Sequence, residues 1–388
     1  MDRFMNQFIN VGGVSVIVAV FGIFVFILIQ ILPLFQGAEV EPGESVQLEP
    51  RDYQALGIDE WSELPFLLEP DGDLRFVDLA GDRGVFARRL PFVEEHGFGA
   101  ARYEQRIGKL AAGTRDGRFS IVDIRYRPEY PEGGERRIVV DVEPGPLLRI
   151  GPEGAPVEAI AYGDDGARKL VAAVQRAGGR QELHAVTLSQ RRSLMGTGRT
   201  VVDGAYNLTE LVEGRIERIL AASEANSLLV SNEAGEVFYL FFDGGEFYLR
   251  QRLSPFADLE DPGLALIDYV FGDMTFVAVS PSGEVRGFSL YHHAEQGKRL
   301  FGQTKQFASL DGPADVYAGS VRNKAFLVGS DREIRLLYST TEAVRWEGTF
   351  DSDIRLAVIG GKYDALAFLD ASSRLRIYEL RDPHPEAS

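Results

Sequence analysis

Lys109–Ile124 reads KLAAGTRDGRFSIVDI: an apolar run, a polar turn centred on Asp116-Gly117, and a second run that alternates. Asp-Gly readily adopts the positive φ angles of a tight hairpin turn. In Arg118-Phe119-Ser120-Ile121-Val122-Asp123-Ile124 the period of two is that of a strand, with successive side chains on opposite faces. The stretch therefore predicts a β-hairpin, and the same design recurs along the chain.

Leu64–Leu79 (LPFLLEPDGDLRFVDL) precedes it, and Lys169–Leu188, Ser227–Phe242, Thr275–Leu290, Ala325–Ser339 and Ala365–Leu380 follow. Their turns, at Gly72, Gly117, Gly179, Gly235, Gly283, Arg332 and Ser373, stand 41 to 62 residues apart. A repeat of that length with several strands per unit is the pattern of a β-propeller. Val157–Tyr162, Arg215–Ala222, Ala265–Phe271, Val316–Val321 and Arg355–Ile359 fit a strand before the hairpin. Arg137–Val142, Phe247–Leu253 and Val344–Phe350 fit one after it. The expected fold is all-β, a seven-bladed β-propeller preceded by one N-terminal transmembrane α-helix. A pair of β-sandwiches, an incomplete ring, and rings of six or eight blades are the rivals. The last unit lacks a fourth strand, and Glu44–Leu48 is placed to supply it and close the ring. Arg127–Glu135 and Glu143–Pro156, rich in Pro and Gly, read as loops between blades. Gln190–Gly198, with Arg191, Arg192 and Arg199, reads as an exposed basic loop.

The N-terminal segment has a different period. Val11–Leu32 (VGGVSVIVAVFGIFVFILIQIL) carries no charge and is long enough to cross a bilayer core of about 30 Å. A cleaved signal peptide is the alternative, but the apolar run exceeds the usual length and no clear A-x-A site follows. Arg3 and the α-amine lie before the span, and Glu39, Glu41 and Glu44 after it, which favours an inside N-terminus. The expected layout is a short cytoplasmic N-terminus at 1–10, a membrane helix at 11–35, and an extracytoplasmic propeller at 36–388. Within the span Gly12, Ser15, Ala19 and Gly22 recur at steps of three and four, a stripe that lets another helix approach closely.

Composition removes whole classes of chemistry. With no cysteine in 388 residues, disulfides, thiolate metal sites and a Cys nucleophile are excluded. A formal charge of −17 argues against a nucleic-acid partner, since phosphate affinity is supplied by Lys and Arg. A mean hydropathy of −0.08 excludes a polytopic membrane protein. The five histidines show neither H-x-x-x-H nor H-E-x-x-H spacing, and no P-loop or G-x-S-x-G elbow occurs. Asp258–Asp261 (DLED) and Asp351–Asp353 (DSD) lack the spacing of a calcium loop and read as solvated loops. Trp61 and Trp346 read as core. No enzyme, cofactor or metal reading emerges.

The two ends carry a more specific signal. Asn10–Ala38, with Gly12-Gly13, the span and Leu32-Pro33-Leu34-Phe35, resembles the first membrane segment of long-form PstC-type permeases of bacterial phosphate ABC transporters. In those long forms a large propeller-like domain follows the first helix. Asp382-Pro383-His384-Pro385-Glu386 is similar to the stretch by which that domain returns to the remaining helices. The resemblance implies an inner-membrane protein with a periplasmic propeller. The implied partners are the membrane, the remaining permease helices or subunits, the solute-binding protein and the ATPase complex. The family's further spans and coupling loop have no counterpart in these residues, so no phosphate-handling residue carries over. The implied role is an accessory one in phosphate import, by docking partners. The alternative is a free-standing membrane-anchored scaffold for envelope protein assembly. A propeller hydrolase would need an acid–base cluster at the ring mouth.

Overall fold

Each of the seven sequence hairpins forms the middle pair of an antiparallel sheet in the computed structural model, which describes residues 2–31, 36–81, 83–131, 134–191 and 199–383; six of these sheets have four strands, and that of blade 2 gains a short fifth. Hairpin two, for example, pairs Leu110 with Val122 and Ala112 with Ser120. An inner strand precedes each pair, and in blades 1 to 6 an outer strand follows it. Blade 1 starts at Ala55–Gly57, blade 2 at Phe98–Glu104, blade 3 at Val157–Asp164 and blade 4 at Ile216–Ala221. Blades 5, 6 and 7 start at Leu266–Tyr269, Val316–Gly319 and Ile354–Ile359. These first strands meet one another around a central axis, which makes the assembly a seven-bladed β-propeller.

The second strand of a blade is apolar at consecutive positions because both of its faces are buried. Leu366 and Phe368 point into the layer shared with blade 6, while Ala367 and Leu369 point into the layer shared with blade 1. The core is accordingly seven separate apolar layers, one per blade junction. No blade can bury both faces alone, so the ring has to close. Closure uses Glu39–Gln47 as the outer strand of blade 7, antiparallel to Arg374–Arg381, with Val46 opposite Leu375. The expected closing segment, Glu44–Leu48, is the second half of that strand; the strand begins earlier because Glu39–Pro42 also finds partners.

Six blades end their second strand at a buried polar residue, namely Glu69, Thr114, Asn232, Ser280, Ser330 and Asp370; in blade 3 the buried Gln175 lies two residues before the strand end. Asp370 accepts hydrogen bonds from the amides of Ser372 and Arg374, and Asn232 from those of Ala234 and Glu236. The side chain satisfies turn amides that the ladder leaves unpaired.

Several loop expectations need correction. Arg127–Glu135 does not link two blades. It ends the long strand Arg118–Glu129 and enters the turn to Arg137–Pro144, with Glu129 opposite Arg137 inside blade 2. Glu143–Pro156 does connect blades 2 and 3, but Leu148–Arg149 pairs with Phe119 and Arg118 on the way. The loop expected at Gln190–Gly198 lies outside the described residues from 192 onward; Gln190 and Arg191 are the end of a strand that pairs with Arg199–Asn207. The helix α1 spans Asp2–Ile31, beginning well before residue 11 because nothing in Asp2–Asn10 breaks it. Residues 32–35, the end of the expected span, lie outside the described residues.

Candidate functional site: the central channel and the exit face

All seven inner strands line an axial channel with a volume of about 380 Å³. Arg102, on the inner strand of blade 2, reaches across it and donates from one Nη to both oxygens of Asp268 on blade 5, each at 3.0 Å. In a seven-membered ring these blades are as far apart as two can be, so the pair crosses the axis. Glu104, two residues along the same strand, lies 3.4 Å from the Arg102 Nε. The period of two puts Arg102 and Glu104 on the same side of the strand. Below the pair, the Asp273 carboxylate accepts the amide of Ser223 from blade 4. Tyr317 donates to the backbone oxygen of Tyr269 at 2.7 Å, tying blade 6 to blade 5.

Low dielectric sets the proton affinities here. Burial pushes the Glu104 carboxyl up to about 7, with Arg102 opposing the shift and Asp268 and Asp273 adding to it. Burial raises Asp273 as well. The Asp268 carboxylate holds Arg102 in its charged form against the penalty of burial. The channel therefore contains a charged cross-axis clamp beside a carboxyl that gains or loses its proton near neutrality. The sequence carried a faint sign of it: Arg102, Glu104 and Asp268 interrupt inner-strand runs that are otherwise mainly apolar or aromatic.

Turns between first and second strands, and between third and fourth, share one face of the ring. The other two kinds of connection share the opposite face. The chain enters from α1 at the first face: the Ala38 amide donates to the Arg345 carbonyl of blade 6 at 2.6 Å. It leaves blade 7 at the same face, where Asp382 takes hydrogen bonds from Arg345 at 2.5 to 3.3 Å and from the Tyr363 hydroxyl at 2.8 Å. Arg345 and Asp382 are both buried. Burial, and then the Asp382 carboxylate, hold the Tyr363 phenol in its protonated form. One residue, Arg345, thus fastens both exits side by side through its carbonyl and its guanidinium. His384, Pro385 and Glu386 lie outside the described residues.

Gly12, Ser15, Ala19 and Gly22 fall along one side of α1, in a segment that the propeller does not bury. A Cβ placed on Gly12 or Gly22 would meet nothing within 4 Å. Among the described residues this helix is the one long and apolar enough to cross a membrane, a property that signal sequences share. The acidic stretches are solvated, as expected, and some of their carboxylates also meet arginines. Asp258 binds Arg286 at 2.6 and 2.8 Å, and Asp353 binds Arg332 at 3.0 Å. Glu69, Asp71 and Asp73 converge, but Arg75 and Arg51 pair with Glu69, and Arg89 with Asp73. Trp61 and Trp346 are half-buried at the margins of apolar layers, and Trp61 also has Lys362 5.5 Å and Arg136 5.9 Å from its ring centroid on the exit face.

No protein-family profile matches the chain, and no characterised protein matches it in sequence. Solved structures do resemble it. The β-propeller domain of Myceliophteria thermophila Cps50 (Swd1) matches with a TM-score of 0.55 at 10% identity, over 87% of this chain and 100% of that one. A chain of the mitotic checkpoint complex matches with a TM-score of 0.52 at 9% identity, over 88% and 96%. These likenesses concern the fold, a seven-bladed propeller of WD40-like architecture.

Proposed function

We propose that this chain is the anchored periplasmic propeller of a phosphate-type ABC permease of the bacterial inner membrane. It has no catalytic role of its own and contributes to import by docking partners. Its N-terminus is cytoplasmic, and the ring is held at the outer surface by α1. The observation that carries the reading is the pair of exits joined at Arg345. A domain inserted between two membrane helices must send its chain out and bring it back at one face, and Ala38 and Asp382 meet that requirement. The resemblance of the two ends to long-form permeases agrees with it. Translocation itself is left to residues or subunits beyond this ring, because a single helix cannot form a pore.

The test is co-purification of the full chain with the permease subunits, followed by phosphate uptake after deletion of residues 40–380. Association and impaired uptake are expected. Normal uptake without association would remove the reading. The propeller fold by itself fits a second reading, a free-standing scaffold for envelope assembly, because propellers present a rigid rim to partners. The coding sequence downstream separates the two: permease helices in frame or in the next gene favour transport, and envelope-assembly neighbours favour the scaffold.

A further inference from the structure

Outside α1, the large apolar side chains that stand exposed among the described residues are Tyr130, Phe271, Met274, Tyr291 and Val344, with Val85 and Leu249. All seven lie in turns of the exit face or in the strand halves that adjoin them. Tyr130 is 74% exposed, Phe271 41% and Met274 38%. Basic residues share that face: Arg322 and Lys324 in the inner turn of blade 6, Lys362 in that of blade 7, and Arg136 beside Trp61. Exposed Glu60 and Asp364 are their acidic neighbours, and exposed Glu135, Asp165, Glu224, Asp243, Glu246 and Glu295 lie in other turns of this face, so the basic patch is local to Arg322, Lys324 and Lys362. A cavity of about 460 Å³ opens between blades 5 and 6, lined by Phe271, Met274, Thr275, Lys305, Lys324 and Thr340. Inside it Lys305 donates to the Thr340 carbonyl at 3.0 Å and lies 3.8 Å from Glu342. The opposite face has no exposed large apolar residue among those described; its exposed charges are mixed, with Asp258, Glu260, Asp261, Asp311 and Asp351 beside Arg115, Arg176, Arg332 and Arg374.

From this asymmetry we infer that the exit face rests on the membrane surface and binds anionic lipid headgroups, with the cavity between blades 5 and 6 receiving one of them. The inference rests on α1 spanning the bilayer and not on the permease reading. Seven residues separate Ile31 from Glu39, a reach of at most about 25 Å, so the exit face is the one held near the bilayer. Aromatic and apolar side chains suit the headgroup boundary, and lysine and arginine suit its phosphates. The tether and the one-sided apolar side chains fix the orientation, and the local basic patch at Arg322, Lys324 and Lys362 adds attraction to an anionic surface.

The absence of native cysteine makes the test clean. The full chain is placed in nanodiscs, alone, with a fluorophore on M274C, on Y130C, or on E260C of the opposite face. Thermal melting checks that each variant folds. With a phosphatidylglycerol-containing bilayer, neutral acrylamide should quench the first two labels about threefold less than the third. A pure phosphatidylcholine bilayer, or the R322Q/K324Q/K362Q variant, should remove most of that protection. Equal quenching at all three sites would overturn the inference. So would protection indifferent to lipid charge and to the three substitutions, which would mean apolar contact only. Protection that appears only when other membrane subunits are added would assign the face to a protein. Because the discs hold this chain alone, a negative result leaves the permease reading standing.

Discussion

Asp370 shows how much of the ring depends on single polar atoms. Its side chain is buried and accepts the amides of Ser372 and Arg374 and the Ser372 hydroxyl at 2.6 to 3.0 Å. It also pairs with Arg376 at 3.1 Å. Asp370→Ala leaves those donors without an acceptor, at a cost of about 1–3 kcal/mol, read as a lower midpoint in urea; Asp370→Asn retains the turn acceptor and should lose less. Glu104 gives a prediction in pH. Its folded carboxyl titrates at about 7, above the usual carboxylate value, so between those values the folded state binds more protons than the unfolded one. Stability contributed by this group is complete below the unfolded value and is lost as pH rises through 7. Asp273 and Asp59, also raised by burial, act in the same direction. The chain should melt lower at pH 8 than at pH 5, and Glu104→Gln should shrink that difference by about 2 °C in calorimetry. An unchanged difference would show that Glu104 keeps an ordinary affinity in the channel.

Among the elements, the outer strand Glu39–Gln47 is the one whose loss reaches furthest. It covers Arg374–Arg381, and the Val40 and Val46 side chains pack on the layers either side of blade 7. Deleting residues 40–50 should lower Tm by more than about 10 °C, whereas shortening an exposed turn such as Gly244-Gly245 should have little effect. This strand also marks what the sequence made legible. The hairpins were readable because the two middle strands obey strong local rules: double-sided burial in the second, alternation in the third, and a turn with positive φ at Gly72, Gly117, Gly235 and Gly283. Gly283 cannot be replaced freely, since a Cβ there would stand 2.3 Å from the Leu310 carbonyl. Five inner and three outer strands lie within two residues of their expected ranges, but the inner strands of blades 1 and 2 and the outer strands of blades 1, 3 and 5 carry no comparable sign, because an inner strand can carry Arg102 into the channel and an outer strand is half exposed. Arg127–Glu135 misled for a related reason: its prolines and glycines mark a long turn inside a blade as readily as a linker between blades. The channel clamp itself was out of reach, since it joins residues 102 and 268 across the axis and only closure of the ring brings them together.

For the whole molecule, the ring and α1 are energetically separate, and that separation can be tested. The blades stabilise one another through seven buried layers, while Gly12–Ile29 buries nothing against them. The stripe of Gly12, Ser15, Ala19 and Gly22 lies in this unburied segment, and small residues at such steps let a second helix approach closely. A Cβ at Gly22 has open space around it, so replacing Ala19 and Gly22 with Leu has no steric cost within the chain. A19L/G22L should leave the melting of the ring unchanged and still place the chain in the membrane. It should also reduce co-purification with any membrane partner severalfold, because two added isobutyl groups hold the helices apart where close packing is the main attraction. Arg345→Met gives the opposite pattern. It leaves α1 intact but strands the buried Asp382 carboxylate beside Tyr363, a loss of about 3–5 kcal/mol to the ring with no direct effect on helix packing. If A19L/G22L lowers the melting temperature, or if co-purification survives it undiminished, the stripe is not a docking face and the partner must be held through the exit face of the ring.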